Sequence, residues 1–316
     1  MKPPPLPEPA AVSRAFQSIG DRVHRTPVIS SESLDRMLGC RLVFKCEHLQ
    51  HTGSFKFRGA THAVLGLPSD CPGVATHSSG NHGAALAAAA RARGLEAHVV
   101  MPENAVATKI EAVGHYGGTV HPCAPTQEAR EAGLQTLVER GLVAIPPYDD
   151  ERIIAGQGTA GLELMEQAQD LDLVLAPVGG GGLISGLALA ADGALPVLGA
   201  EPLGADDTIR SLAAGKRVSD HHPKTIADGL RALVGVRNLA IISQRVEQVL
   251  GVSEEAIVRA MDLIASRADQ RVEPSGAVAL AAVMEHPRRF AGQTVGVILS
   301  GGNMDRPAQS EDQGSS

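Results

Sequence analysis

The stretch "HTGSFKFRGA", His51 to Ala60, places a lysine between two phenylalanines in a chain that holds only five. An ammonium among apolar neighbours is partly desolvated, which disfavours its charged form and leaves an amine able to attack a carbonyl. Lys56 is therefore a candidate nucleophile; taken alone, it also reads as a surface lysine lying along an apolar strand. A second stretch, "LDLVLAPVGGGGLISG", runs from a buried strand into Gly179, Gly180, Gly181 and Gly182, with a helix expected from about Leu183. Successive glycine N–H groups converge on an anion without obstruction, and a helix N-terminus adds about half a positive charge. The spacing is neither GxGxxG nor GxxxxGK[ST], so one phosphate fits better than a dinucleotide, although Glu201 stands where a ribose contact would fall. A reactive amine with a single-phosphate cup points to an aldehyde cofactor carrying one phosphate, pyridoxal 5'-phosphate bound as a Schiff base.

Two further turns carry donors. "THSSGNHGAAL" gathers Ser78, Ser79, Asn81 and His82 around Gly80 at the start of an alanine-rich helix, where free N–H groups suit a carboxylate; a plain serine N-cap is the simpler alternative. "VGVILSGGNMD" ends its strand at Ser300, whose hydroxyl suits either a cap or a ring atom of a ligand.

These turns need a frame. Short β-rich runs, "RLVFKCE", "PGVATHS", "EAHVVMP", "TVHPCAP", "LVAIP", "LDLVLAPV", "PVLGAEP" and "QTVGVILS", alternate with alanine-rich helical segments such as "NHGAALAAAARARG" and "NAVATKIEAVGHYG". That alternation implies an α/β fold of parallel strands joined by crossover helices, with ligands beyond the strands' carboxyl ends. At 316 residues the chain fits two lobes. A hydrophobic fraction of 43%, a charged fraction of 20% and the lack of a long apolar run argue against a membrane span. The net charge of −7, with no clustered basic tract, argues against nucleic acid or anionic lipid. Four scattered cysteines, Cys40, Cys46, Cys71 and Cys123, suit reduced thiols. The proline-rich "MKPPPLPEPA" is unlike a signal peptide, and with the polar end "RPAQSEDQGSS" it reads as a tail of a cytoplasmic protein.

The motifs "FKCEHLQHTGSFKFRGA", "SSGNHG", "IAGQGT", "PVGGGGLISG", "AEPLGADD", "TIADGL" and "LSGGNMD" stand in one order from about Ser13 to Asp305, and in this the chain resembles the fold-type II pyridoxal-phosphate serine/threonine dehydratase and serine racemase family. The resemblance implies a tryptophan synthase β-like architecture: two open, twisted, mostly parallel sheets with helices on both faces. A large cofactor domain would comprise 1–72 and 150–316, a small domain 73–149, with no C-terminal regulatory domain; a homodimer is implied. Lys56 would be the Schiff-base lysine and α-proton acceptor, Phe55 would pack on the cofactor ring, Asn81 would bond its phenolic oxygen, Gly179 to Gly182 would hold the phosphate, and Ser300 would face the pyridine nitrogen. Ser78, Ser79, Asn81 and His82 would take the substrate carboxylate. Glu201, the Ala205 carbonyl and Asp207 would bind Mg²⁺ or Ca²⁺, oxygen ligands being right for a hard cation.

The implied activity is dehydration of a β-hydroxy-α-amino acid (L-threonine, L-serine or 3-hydroxyaspartate) to a 2-oxo acid and ammonia. A neutral hydroxyl at Ser300 suits β-elimination over transamination. Ser79, opposite the lysine across the cofactor, keeps an amino-acid racemase as the alternative, and a dinucleotide-dependent oxidoreductase is the alternative of a different class. Before "IAGQGT", where family members often show a His-Pro pair, this chain has Pro146, Pro147 and Tyr148, and with Ala232 these depart from the pattern; Arg130 matches an arginine near the substrate region, a surface helix arginine being the simpler alternative.

Overall fold

The computed structural model of the chain describes residues 6–78 and 80–304. The eight stretches read as strands all form strands: β2 (Arg41–Lys45), β3 (Gly73–His77), β4 (Glu96–Pro102), β5 (Thr119–Cys123), β6 (Val143–Ala144), β7 (Leu173–Pro177), β8 (Val197–Pro202) and β10 (Thr294–Ile298). Two more, β1 (Val28–Ile29) and β9 (Gln248–Val252), escaped the sequence reading. They assemble into a six-stranded sheet in the order β1-β2-β10-β7-β8-β9 and a four-stranded sheet in the order β5-β4-β3-β6. All pairings are parallel except β1 with β2.

The larger sheet is apolar on both faces, as a sheet covered by crossover helices must be. Alternate residues of its strands enter different cores. Leu42, Phe44, Leu173, Leu175, Leu198, Ala200, Val295 and Val297 join one cluster, which includes Ala277 to Val283 of the helix Pro274–Glu285. Their neighbours Val43, Val174, Ala176, Val197 and Ile298 face the other way, against Ile184, Leu187 and Ala188 of the helix Gly182–Ala191. The smaller sheet divides likewise, with Val74, Ala97, Val99 and Met101 in one cluster and Ala75 and Val100, with Leu137, in another.

This doubly covered architecture sends each strand's carboxyl end into a turn that is not part of the core. The Ser78–Gly80 turn follows β3, the glycine turn follows β7, and Ser300 follows β10. Among the described residues no helix is long and apolar enough to cross a membrane. All four cysteines are free thiols; burial raises Cys40 to about 11 and Cys46 to about 12, so neither is a ready thiolate.

Candidate active site

Lys56 opens the helix Lys56–Leu65, and the residues around it fix its backbone from three sides. Ser54 bridges Gly301 and the Phe55 amide donates to the Ser300 carbonyl at 3.1 Å, which ties the lysine to the end of β10. Gly59 lies against Gly156 of the helix Glu151–Gln167, where a Cβ on Gly156 would stand 2.6 Å from the Gly59 Cα. Arg58, fully buried, reaches Glu47 through Nε at 2.7 Å and through Nη2 at 2.8 Å, and Glu163 through Nη1 at 2.7 Å and Nη2 at 2.8 Å. Lys45 completes the cluster by donating to Glu163 at 2.7 Å, so two cations and two carboxylates sit sealed below the site.

The Lys56 side chain leaves this frame towards the cleft. Nζ donates to the Pro147 carbonyl at 2.8 Å and lies 5.1 Å from the centre of the Phe55 ring. Burial lowers its pKa to about 8, with the Glu273 carboxyl pulling the other way. Desolvation and the positive end of its own helix both disfavour the ammonium. A substantial neutral fraction near pH 8 is the property the sequence argument required.

Pro147 leads directly to Tyr148, whose ring lies on the glycine turn. A Cβ built on Gly180 would stand 2.4 Å from two of its ring carbons, and one on Gly182 would stand 3.1 Å from its Cβ. Asn238 donates to the carbonyls of Gly180 at 2.7 Å and Tyr148 at 3.2 Å, clamping turn and tyrosine together. Gly181 has φ +89°, a left-handed conformation that favours glycine. Packing and backbone conformation thus account for much of the glycine run without an anion. Gly179 meets the Leu230 backbone, Gly180 meets Tyr148 and Gly181 needs its positive φ. These demands crowd the Cα side while the helix Gly182–Ala191 begins at the turn, where its first N–H groups lack helical acceptors.

At the turn after β3 the donors divide. The Ser78 hydroxyl accepts from the Gly80 and Gly83 amides, each at 3.3 Å, which is the capping role. The His82 imidazole turns inward: it is 2% exposed, donates through Nε2 to the Ile145 carbonyl at 3.0 Å, and burial with the nearby Lys56 holds its pKa down to about 3. What His82 offers the turn is its backbone amide, not its ring. Asn81 Nδ2 donates to Glu273 at 2.7 Å and its Oδ1 accepts from Asn303 at 2.9 Å. Ser79 lies outside the described residues. Ser300 is buried and its hydroxyl donates to the Ser275 carbonyl at 3.4 Å.

Glu273 was missed in the sequence. It is 3% exposed, its Oε2 has no partner, and burial pushes its pKa up to about 7 against the pull of Lys109 and Asn81. A lone carboxylate before the apolar helix "PSGAVALAAV" was the available signal. Behind the glycine turn, Glu201 and Asp207 are each 1% exposed. Glu201 Oε1 accepts from the Ile209 amide at 3.0 Å, Oε2 is unpartnered, and burial, with Asp207 and Asp206 nearby, pushes its pKa up to about 8. Asp207 Oδ2 accepts from the Val234 amide at 2.8 Å, and Ala205 is buried beside it. Among the described residues no three His, Cys, Asp or Glu side chains converge as a metal cluster.

The sequence matches the family described as pyridoxal-phosphate dependent enzyme over residues 19–301. It is 45% identical to the serine racemase of Dictyostelium discoideum, over 93% of this chain and 94% of that one. It is 44% identical to the beta-hydroxyaspartate dehydratase of Paracoccus denitrificans (strain Pd 1222), over 92% of this chain and 94% of that one. The solved structure of maize serine racemase superposes with a TM-score of 0.93 at 43% identity, covering 95% of each chain. An amine held near neutrality beside an anion-ready turn, in a chain with these relatives, leaves one assignment: this chain belongs to the pyridoxal-phosphate dependent enzyme family.

Proposed function

We propose that the chain is a dehydratase, an ammonia-lyase that converts a β-hydroxy-α-amino acid to a 2-oxo acid and ammonia. The observation that carries it is the Lys56 amine, shifted to about 8 and held at Pro147 beside the tyrosine that seals the glycine turn. Unpartnered Glu273 Oε2 and the amides opening the helix Gly182–Ala191 fit a ligand with a ring and a phosphate. Bound there, pyridoxal phosphate supplies an aldehyde for the amine and an electron sink for charge at the substrate α-carbon. The amides of Gly179 to Gly182 would hold its phosphate, Phe55 would pack on its ring, Asn81 would bond its phenolic oxygen and Ser300 would face its nitrogen.

Lys56 takes the α-proton, which its near-neutral pKa suits. Asn81 and the amide of His82, with Ser78 and Ser79, hold the substrate carboxylate on the turn after β3. Glu201, the Ala205 carbonyl and Asp207 would hold Mg²⁺ or Ca²⁺; the Glu201 carboxyl, pushed up to about 8 by burial with Asp207 and Asp206 nearby, has an unpartnered oxygen that a hard cation would suit. Arg130, half-buried and within electrostatic reach of His77 and Tyr148, supports a substrate with a second carboxylate, such as 3-hydroxyaspartate. Residues 73–149 form a small domain against a large one of 1–72 and 150–316, in a cytoplasmic homodimer.

The racemase reading is the second, favoured by the serine racemases among the relatives and requiring Ser79 as a base opposite Lys56. Both are tested by incubating the cofactor-loaded protein with L- and D-serine, L-threonine and 3-hydroxyaspartate in the presence of Mg²⁺, following 2-oxo acid and enantiomer together. 2-Oxo acid from a hydroxy amino acid, with a yellow band lost on borohydride, supports the dehydratase. Enantiomer without 2-oxo acid supports the racemase, and a protein that stays colourless after pyridoxal phosphate is added rejects both.

A further inference from the structure

Lys109 belongs to the helix Ala107–His115, between β4 and β5 of the smaller sheet. Its ammonium crosses the cleft to the carboxylate of Asp228, in the 3-10 turn Asp228–Leu230 whose Leu230 backbone rests on Gly179. The pair is sheltered, with the lysine side chain 14% and the aspartate side chain 34% exposed. Nζ also lies 3.9 Å from where a Cβ on Gly80 would stand, and its charge reaches Glu273. The ammonium therefore overhangs the turn after β3.

That turn faces two acidic groups, Asp228 across the cleft and Glu273 beneath Asn81. Without a compensating cation they would repel an incoming carboxylate. The helix amides supply only partial charges. Lys56 is a poor counter-charge because its amine is engaged by the Pro147 carbonyl at 2.8 Å and is the group that would condense with the cofactor aldehyde. Lys109 is the full positive charge already in place.

We propose that Lys109 is a substrate-binding residue, its ammonium pairing with the α-carboxylate of the amino acid on the turn after β3, and that Asp228 is a positioning residue that holds it across the cleft. This rests on the reading of that turn as the carboxylate site. Pairing through Lys109 also joins the two sheets when the substrate is seated, because the ammonium contacts both Asp228 and the ligand.

The test uses the cofactor-loaded enzyme and two probes without a β-leaving group, L-alanine and L-alaninamide, which differ only in the carboxylate. Each is titrated against the visible band of the bound cofactor. In the unmodified protein alanine is expected to bind more tightly. In Lys109→Met alanine should weaken about 10- to 100-fold, the range for losing a charge-assisted hydrogen bond, while alaninamide and cofactor affinity stay unchanged. Lys109→Arg should restore most of the difference, and KM for the hydroxy amino acid should carry more of the loss than kcat. If Lys109→Met does not fold, Lys109→Gln serves in the same comparison. Equal weakening of both probes, or unchanged alanine affinity, overturns the role of Lys109 alone. An unmodified protein that binds the two probes equally overturns the carboxylate reading of the turn and the proposal with it.

Discussion

Two charged regions lie on either side of Lys56, and their hydrogen bonding separates structure from chemistry. Below, Arg58, Lys45, Glu47 and Glu163 are sealed together, with Thr26 donating to Glu47 at 2.6 Å and Gln167 accepting from Lys45 at 2.8 Å. Each carboxylate oxygen there has a partner. Above, towards the cleft, Glu273 Oε2 is buried without one, and behind the glycine turn so is Glu201 Oε2. Native interiors rarely leave buried polar atoms unpaired unless a ligand, ion or water completes them. The closed cluster builds the platform, and on the proposed reading the unpaired Glu273 oxygen beside Asn81 lies where a ligand would sit.

The sharpest way to break this contrast is to remove one member of each. Lys56→Ala should lower 2-oxo acid formation on the order of 10³-fold or more, as for loss of a residue that enters the reaction directly. Its thermal midpoint should hold or rise, because a desolvated amine is removed; a fall in stability matching the fall in rate would make Lys56 a structural residue. Arg58→Met should do the reverse, since it strands Glu47 and Glu163 in the interior. A loss of about 3–5 kcal/mol is expected for breaking a buried ion pair from one side, read from urea denaturation. A loss below about 1 kcal/mol would mean the cluster is not the platform.

The platform and the cleft were not equally legible in the sequence. Most of the eight strands could be read because burial on both faces makes β2, β3, β7, β8 and β10 near-continuous apolar runs, whereas β5 and β6 are only partly buried and showed through their β-rich composition and flanking turns; the nucleophile could be read because Phe55 and Phe57 flank it. β1 is two residues long and antiparallel at one edge, and β9 is the opposite edge, interrupted by Gly251 next to its last residue, so neither carries a strong pattern. The partners of buried charges were illegible for a different reason. Asn81 meets Glu273 across 192 positions and Arg58 meets Glu163 across 105, distances over which no local periodicity speaks. His82 shows the limit from the other side, since its motif was legible and its ring direction was not.

Glu273 allows the open region to be titrated. Its carboxyl sits at about 7 against an ordinary 4.5, with Lys109 and Lys56 the cations nearby. A folded pKa raised above the unfolded one means the native state keeps its full contribution below about 4.5 and loses it as pH rises through 7. Glu273→Gln keeps an acceptor for Asn81 without the titration. The variant should match the parent in acid and exceed it by roughly 2–3 kcal/mol above neutrality, measured as unfolding free energy against pH. Parallel pH curves would show that the carboxyl is not held protonated by burial.

The smallest expected effect concerns Gly180, where two explanations for the same glycine compete. A methyl group there would meet the Tyr148 ring at 2.4 Å, a clash on the Cα side that leaves the amide free. Gly180→Ala should therefore cost about 1–3 kcal/mol through overpacking. Adding Tyr148→Ala removes the obstruction, so the double variant should recover about 1 kcal/mol relative to the sum of the single changes, which a double-mutant cycle in thermal unfolding resolves. Cofactor affinity then separates the explanations. If the recovered double variant binds pyridoxal phosphate like the Tyr148→Ala protein, the glycine serves the tyrosine. If it refolds but does not bind, the methyl obstructs the phosphate itself, and the turn is shaped by its ligand more than by its neighbour.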